Sequence, residues 1–262
     1  MTLLYIVVAT LCGGVLSVGI AAALTLPLLT RLVKSLVSLS TGVLLGTALL
    51  QVLPEAFESK ADTHGLFMAL LGGLLFFFLL EKAELYRHDH HHEGDDPHHH
   101  HAHGFDAEQA GRGGWSVLVG DSIHNFCDGV IIAAAFLTSP QLGLVTALAI
   151  VAHEIPQEVG DFIVLVNAGF GRRRALWFNA LSGLAAVLGG VAGYFVVGPW
   201  QALFPYLLVV ASSSFIYVAL ADLMPQLQRR LAWRETASQL GWMLGGLGLV
   251  LLAMALVASH AH

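Results

Sequence analysis

Eight apolar stretches of membrane-crossing length recur along the chain, at about residues 3–26, 35–54, 64–84, 113–137, 142–168, 175–197, 204–225 and 237–258. A helix needs about 20 apolar residues to cross about 30 Å of hydrocarbon. Inside that layer every backbone N–H and C=O must be paired within the protein. Strand alternation is absent, so a barrel is not expected. The fold class that follows is an all-α polytopic membrane protein of eight transmembrane helices, forming one transmembrane domain over 1–262. Composition supports this: 11% of residues are charged, against about 25% in soluble domains. The net charge of -6 offers no basic patch, so no nucleic-acid partner is expected. Cys12 and Cys127 both lie in apolar segments and make no disulfide framework. No basic residue precedes Arg31, so the first stretch reads as a retained span and not a cleaved signal.

Basic residues orient the spans, because cytoplasmic loops collect Lys and Arg. Arg31 and Lys34, then Lys82, Arg87 and Arg112, then Arg172, Arg173 and Arg174, then Arg229, Arg230 and Arg234 all fall on odd-numbered loops or their flanks. Lys60 alone falls on an even one. Odd loops are therefore expected in the cytoplasm and both termini outside. The one long loop, 86–112, joins spans three and four on the cytoplasmic side. It holds His88, His90, His91, His92, His98, His99, His100, His101 and His103, interleaved with Asp89, Glu93, Asp95 and Asp96. Such a segment cannot build a core and is expected to be disordered. It reads as a weak, multivalent metal collector, with a solvated linker as the plain alternative.

A faint internal repeat accompanies the spans. Residues 48–55 (ALLQVLPE) end span two, and residues 219–226 (ALADLMPQ) end span seven. Span two runs outward and span seven inward, so the two segments are related by inversion. Spans one to three would then be echoed by six to eight around spans four and five, an arrangement common in secondary transporters.

Ionisable side chains in a bilayer are costly and functional by default. Span four carries Asp121, His124, Asn125 and Asp128, and span five carries His153, Glu154, Gln157, Glu158 and Asp161. His124 and Asp128 share a helix face, as do His153 and Gln157. Each His sits about 11 residues into its span, about 16 Å deep and near the midplane. The short connection at 138–141 makes the two helices antiparallel neighbours, so the clusters can meet. Spans four to seven hold Asp121, Asp128, Glu154, Glu158, Asp161 and Asp222 but no Lys or Arg at depth. These carboxylates are either protonated or balanced by a bound cation. Two imidazoles facing carboxylates and amide oxygens make a divalent-metal site the simplest answer. Helix–helix hydrogen bonding is the bland alternative. Pro156 lies inside the second cluster, where it frees the Ala152 carbonyl of its helical donor. Gly129 and Gly160 close each cluster and allow close helix approach.

At these residues the chain resembles the ZIP family of zinc and iron permeases. The motifs that carry the likeness are residues 124–129 (HNFCDG) in span four and 153–161 (HEIPQEVGD) in span five. The eight spans, outward termini and His-rich loop are similar as well. The resemblance implies a divalent-metal transporter with a binuclear site between spans four and five. Carried over by motif position, His124, Asp128, His153 and Gln157 would hold a first metal. Asn125, Asp128, Glu154 and Gln157 would hold a second. The sequence departs from the family at Gln157, where His or Glu is common, and in span six, where the stretch around Leu184, Ala185, Ala186 and Val187 is apolar. Both departures point to one firmly bound metal and one transient one. Glu158 matches the last acid of the family signature without an assigned ligand role.

The expected function is transport of a divalent transition metal, zinc foremost, into the cytoplasm by alternating access around a midplane site. Zn²⁺ is the transported substrate and not a cofactor; Fe²⁺, Mn²⁺, Co²⁺ or Cd²⁺ suit the same donors. The expected partners are the metal ion and the lipid bilayer of the plasma membrane, with room for a homodimer. Asp222, Gln51 and Glu55 are candidate lining for an entry or exit route, and His98, His99, His100 and His101 for metal collection. Cys127 reads as a packing residue or a soft-metal contact. An intramembrane zinc-dependent hydrolase or protease is the competing class. It would need His-Glu-x-x-His, but the second His is replaced by Gln157, and Pro156 interrupts the helix. A proton-exchanging metal exporter would have six spans and a soluble domain, and this chain has neither.

Overall fold

In the bilayer no hydrophobic effect drives helix against helix, so close backbone packing and interhelical hydrogen bonds must build the bundle. A computed structural model describes residues 1–23, 26–89, 110–167, 170–228 and 233–259. The described residues contain helices and no strand. In chain order these are α1 (Thr2–Ala23), α2 (Leu26–Thr47), a π-helical segment (Ala48–Val52), α3 (Leu53–Phe57), α4 (Thr63–Asp89), α5 (Ala110–Thr138) and α6 (Pro140–Asn167). They continue as α7 (Arg172–Val197), a 3-10 turn (Gln201–Leu203), α8 (Phe204–Tyr217), a second π-helical segment (Val218–Leu223), α9 (Met224–Gln228) and α10 (Trp233–Ser259). The eight expected spans are thus α1, α2 with α3, α4, α5, α6, α7, α8 with α9, and α10. Seven of them are apolar enough to cross a membrane on length and composition. The eighth is α5, which carries Asp121, His124, Asn125 and Asp128.

Helix α4 runs on to Asp89 and α5 starts at Ala110, so both ends of the 86–112 loop expected from composition are helical. The stretch 90–109, with His98, His99, His100 and His101, lies outside the described residues.

The packing pairs have a two-fold pattern. α10 lies on α2 and α4 on α8; α6 contacts α1 and α2, and α5 contacts α7 and α8. Exchanging spans one to three for six to eight, and four for five, maps each pair onto another. The π-helical segments fall on the two halves of the sequence repeat, shortly before Pro54 and Pro225. These pairings match an exchange of the two halves of the chain around α5 and α6.

The tightest seam is between α5 and α7. A Cβ on Gly129 would collide with the Ala186 carbonyl, and one on Gly189 with the Phe126 carbonyl. Only glycine lets these backbones touch. On the other side of the centre, α6 is tied to α2. The Ser40 hydroxyl donates to the Ala152 carbonyl, which Pro156 deprives of its helical donor. The outward faces of α4 and α10 keep large apolar side chains exposed, among them Leu71, Leu79, Leu244 and Leu252. On a membrane span that is the lipid-facing surface.

Candidate metal centre

Helical spacing puts His124 and Asp128 one turn apart on α5, and α6 brings His153 and Glu154 to meet them. The two imidazole Nε2 atoms lie 3.2 Å apart. Asp128 Oδ2 is 3.1 Å from His153 Nε2 and 3.7 Å from His124 Nε2. Glu154 Oε1 is 3.6 Å from His153 Nε2 and 3.9 Å from His124 Nε2. All four ligand atoms fall within 4.8 Å of one another. Donors at tetrahedral positions about 2.0–2.1 Å from zinc sit about 3.3 Å apart. The four atoms are close to that spacing, and a small contraction would close the set around one ion.

The second sphere orients these donors. His153 Nδ1 lies 3.3 Å from the Ala149 carbonyl oxygen. A proton held there puts the lone pair on Nε2, which faces the cluster. Asp128, His153 and Glu154 are buried, while His124 keeps 14% of its side chain accessible. Neither oxygen of Asp128, nor Oε1 of Glu154, receives a well-formed hydrogen bond from the described residues. Among the described residues no Lys or Arg forms an ion pair with either acid. Two carboxylates and two imidazoles, with no Lys or Arg paired to them among the described residues, are a donor set that could hold a divalent ion.

The remaining predicted residues are distributed around this set. Asn125 Nδ2 donates to the Asp121 carbonyl oxygen at 3.1 Å and to Asp121 Oδ1 at 3.1 Å. Gln157 Nε2 donates to the same Oδ1 at 3.1 Å. Both amides thus spend their nitrogens on Asp121. Asp121 acquires a role here that sequence spacing signalled only through its i,i+4 relation to Asn125. Glu158 is fully buried one turn beyond Glu154 on α6. Gln51 and Asp222 fall on the two π-helical segments and Glu55 on α3. Cys127 is a half-buried free thiol outside the set.

Both motifs fall within the part of the chain, residues 81–254, that matches the family model described as ZIP Zinc transporter. The chain belongs to the ZIP family. Among curated relatives, this ZIP chain is 37% identical over 139 residues to Zinc transporter foi of Drosophila melanogaster, covering 53% of the chain and 20% of that protein. It is 37% identical over 145 residues to Zinc transporter ZIP6 of Homo sapiens, covering 53% and 19%. With Zinc transporter ZIP4 of Homo sapiens the identity is 42% over 114 residues, covering 42% and 17%. The match spans a fifth or less of the length of each relative.

Proposed function

We propose that this ZIP chain carries divalent transition-metal ions, zinc foremost, across the plasma membrane into the cytoplasm. The observation that carries the reading is the largely buried N₂O₂ set of His124, Asp128, His153 and Glu154, spaced for one tetrahedral ion and with no Lys or Arg paired to its acids among the described residues. Family membership and relatives named zinc transporters support zinc as cargo. The same donors suit Fe²⁺, Mn²⁺, Co²⁺ and Cd²⁺.

The physics of the step is replacement of water. A bare dication in hydrocarbon is prohibitively costly, so the four donors must stand in for its hydration shell. Release requires that the cage be incomplete, and a partly accessible His124 leaves one wall open. Asn125 and Gln157, held by Asp121, serve the ion as it leaves and with Asp128 and Glu154 make the transient ligand group. The bias of Lys and Arg toward odd loops supports outward termini and a cytoplasmic 86–112 loop, with its His residues placed to receive metal. The chain is read as a transporter and not an enzyme. Gln157 in place of a second His removes the donor a zinc protease would need. A homodimer is part of the same proposal, checked by particle mass in nanodiscs.

The test is radiotracer Zn²⁺ uptake into proteoliposomes. A His124→Ala/His153→Ala protein should lose uptake to background. Transport at the unaltered rate in that variant overturns the site.

A further inference from the structure

One turn beyond Glu154, about 6 Å along α6, Glu158 presents a second carboxylate with no counter-charge. Glu158 is 0% exposed, and neither of its oxygens receives a hydrogen bond of good geometry from a described residue. Its neighbour is Asn179 on α7, which is 1% exposed. Asn179 Nδ2 donates to the Glu158 backbone oxygen at 2.7 Å. That bond fixes the amide's orientation, because a flipped amide would set oxygen against oxygen. Asn179 Oδ1 is then left as a second buried acceptor with no donor among the described residues. Two helices thus bring a carboxylate and an amide side by side, and neither the Glu158 oxygens nor Asn179 Oδ1 has a donor of good geometry among the described residues. Asp121 and Glu154 are acidic neighbours and deepen the negative potential. α1 and α7 meet at glycines beside it: a Cβ on Gly183 would lie 3.6 Å from Gly14 Cα and 4.0 Å from Glu158 Oε1. Buried acceptors without donors are costly, and a cation is the ligand that satisfies both.

We propose that Glu158 and Asn179, flanked by Asp121, form a second cation station that takes a divalent ion from the His124–His153 cluster on its way to the cytoplasm. The inference rests on the transport reading above. Glu158 lies late on α6 and Asp121 early on α5, toward the helix end that adjoins the 86–112 loop. An all-oxygen donor set of low ligand count holds zinc less tightly than one with imidazoles. Affinity therefore steps down along the path, and the ion moves off the imidazoles without being trapped.

The test is anomalous scattering from crystals of the full chain soaked in Cd²⁺, a readout that separates these positions from metal held by the loop histidines. Three proteins are compared: the native chain, His124→Ala/His153→Ala, and that double variant with Glu158→Gln. The native chain should show a peak within the four-donor cluster. The double variant should lose that peak and show one between Glu158 and Asn179, and Glu158→Gln should abolish it. Asn179→Asp in the double variant adds a second charge and should tighten this binding about tenfold. No peak beside Glu158 in any of them overturns the second station and leaves the first intact. An empty four-donor cluster in the native chain overturns the transport site itself.

Discussion

Ser40 donates its hydroxyl to the Ala152 carbonyl, the acceptor that Pro156 strips of its helical partner. A proline four residues on removes the N–H that would have paired there. In hydrocarbon no water substitutes. The bond thus repairs α6 one residue before His153 and fastens it to α2. Ser40→Ala should cost about 1 kcal/mol of stability, read as a lower unfolding temperature in detergent. Pro156→Ala restores the helical donor, so in a double-mutant cycle the cost of Ser40→Ala should shrink in that background. Additive losses would mean that the two residues act independently.

Acid should weaken metal binding. His124 and His153 bind as neutral imidazoles and Asp128 and Glu154 as carboxylates, so protons and metal compete for the same lone pairs. The sign is fixed: affinity falls as pH falls. Between about pH 7.5 and about pH 5.5 the apparent Kd should rise at least tenfold. Titration of Zn²⁺ against the purified chain at the two values checks this. A flat profile would remove the imidazoles from the ligand set.

The arrangement around Asp121 separates two kinds of polar residue on α6. His153→Ala removes a donor and should weaken metal binding more than about a hundredfold. Gln157→Ala removes a hydrogen bond to Asp121 and should cost under about tenfold. Isothermal titration of both variants decides the matter. Equal losses would place the Gln157 amide on the metal.

The α5–α7 seam should reject any side chain. Gly189→Val puts a branched group into the Phe126 carbonyl and should destabilise by about 1–3 kcal/mol or more. Gly72→Ala serves as the control. Nothing lies within 4 Å of a Cβ there, and loss of a helix-interior glycine should stabilise slightly. Thermal unfolding of the two variants compares them directly.

The spans were legible because about 20 apolar residues are needed wherever a helix crosses lipid, and this requirement survives even the polar middle of α5. The meeting of His124 and His153 was legible from equal depth on antiparallel neighbours. The turn of the Asn125 and Gln157 amide nitrogens toward Asp121 was not. Sequence spacing assigns a helix face, whereas side-chain rotamers decide which of two adjacent polar groups turns inward. Ser40 and Asn179 were invisible for another reason: each donates to a backbone carbonyl of another helix, an acceptor that every residue carries and that no spacing marks. The π-helical segments leave no trace in periodicity either, because apolar residues surround them on every face.

Those two segments set a rule for how spans two and seven can change. A π turn holds one residue more than a regular turn. Removing one residue from Ala48–Val52 would restore ordinary winding and leave the phase of α3, with Glu55, nearly unchanged, because a π turn and the α turn that replaces it each close about one revolution. Exchanging one leucine for another aliphatic side chain there disturbs little. In these two stretches a descendant can lose the extra residue and keep the helix beyond it in phase, and what it gives up is the local winding that carries Gln51 and Asp222.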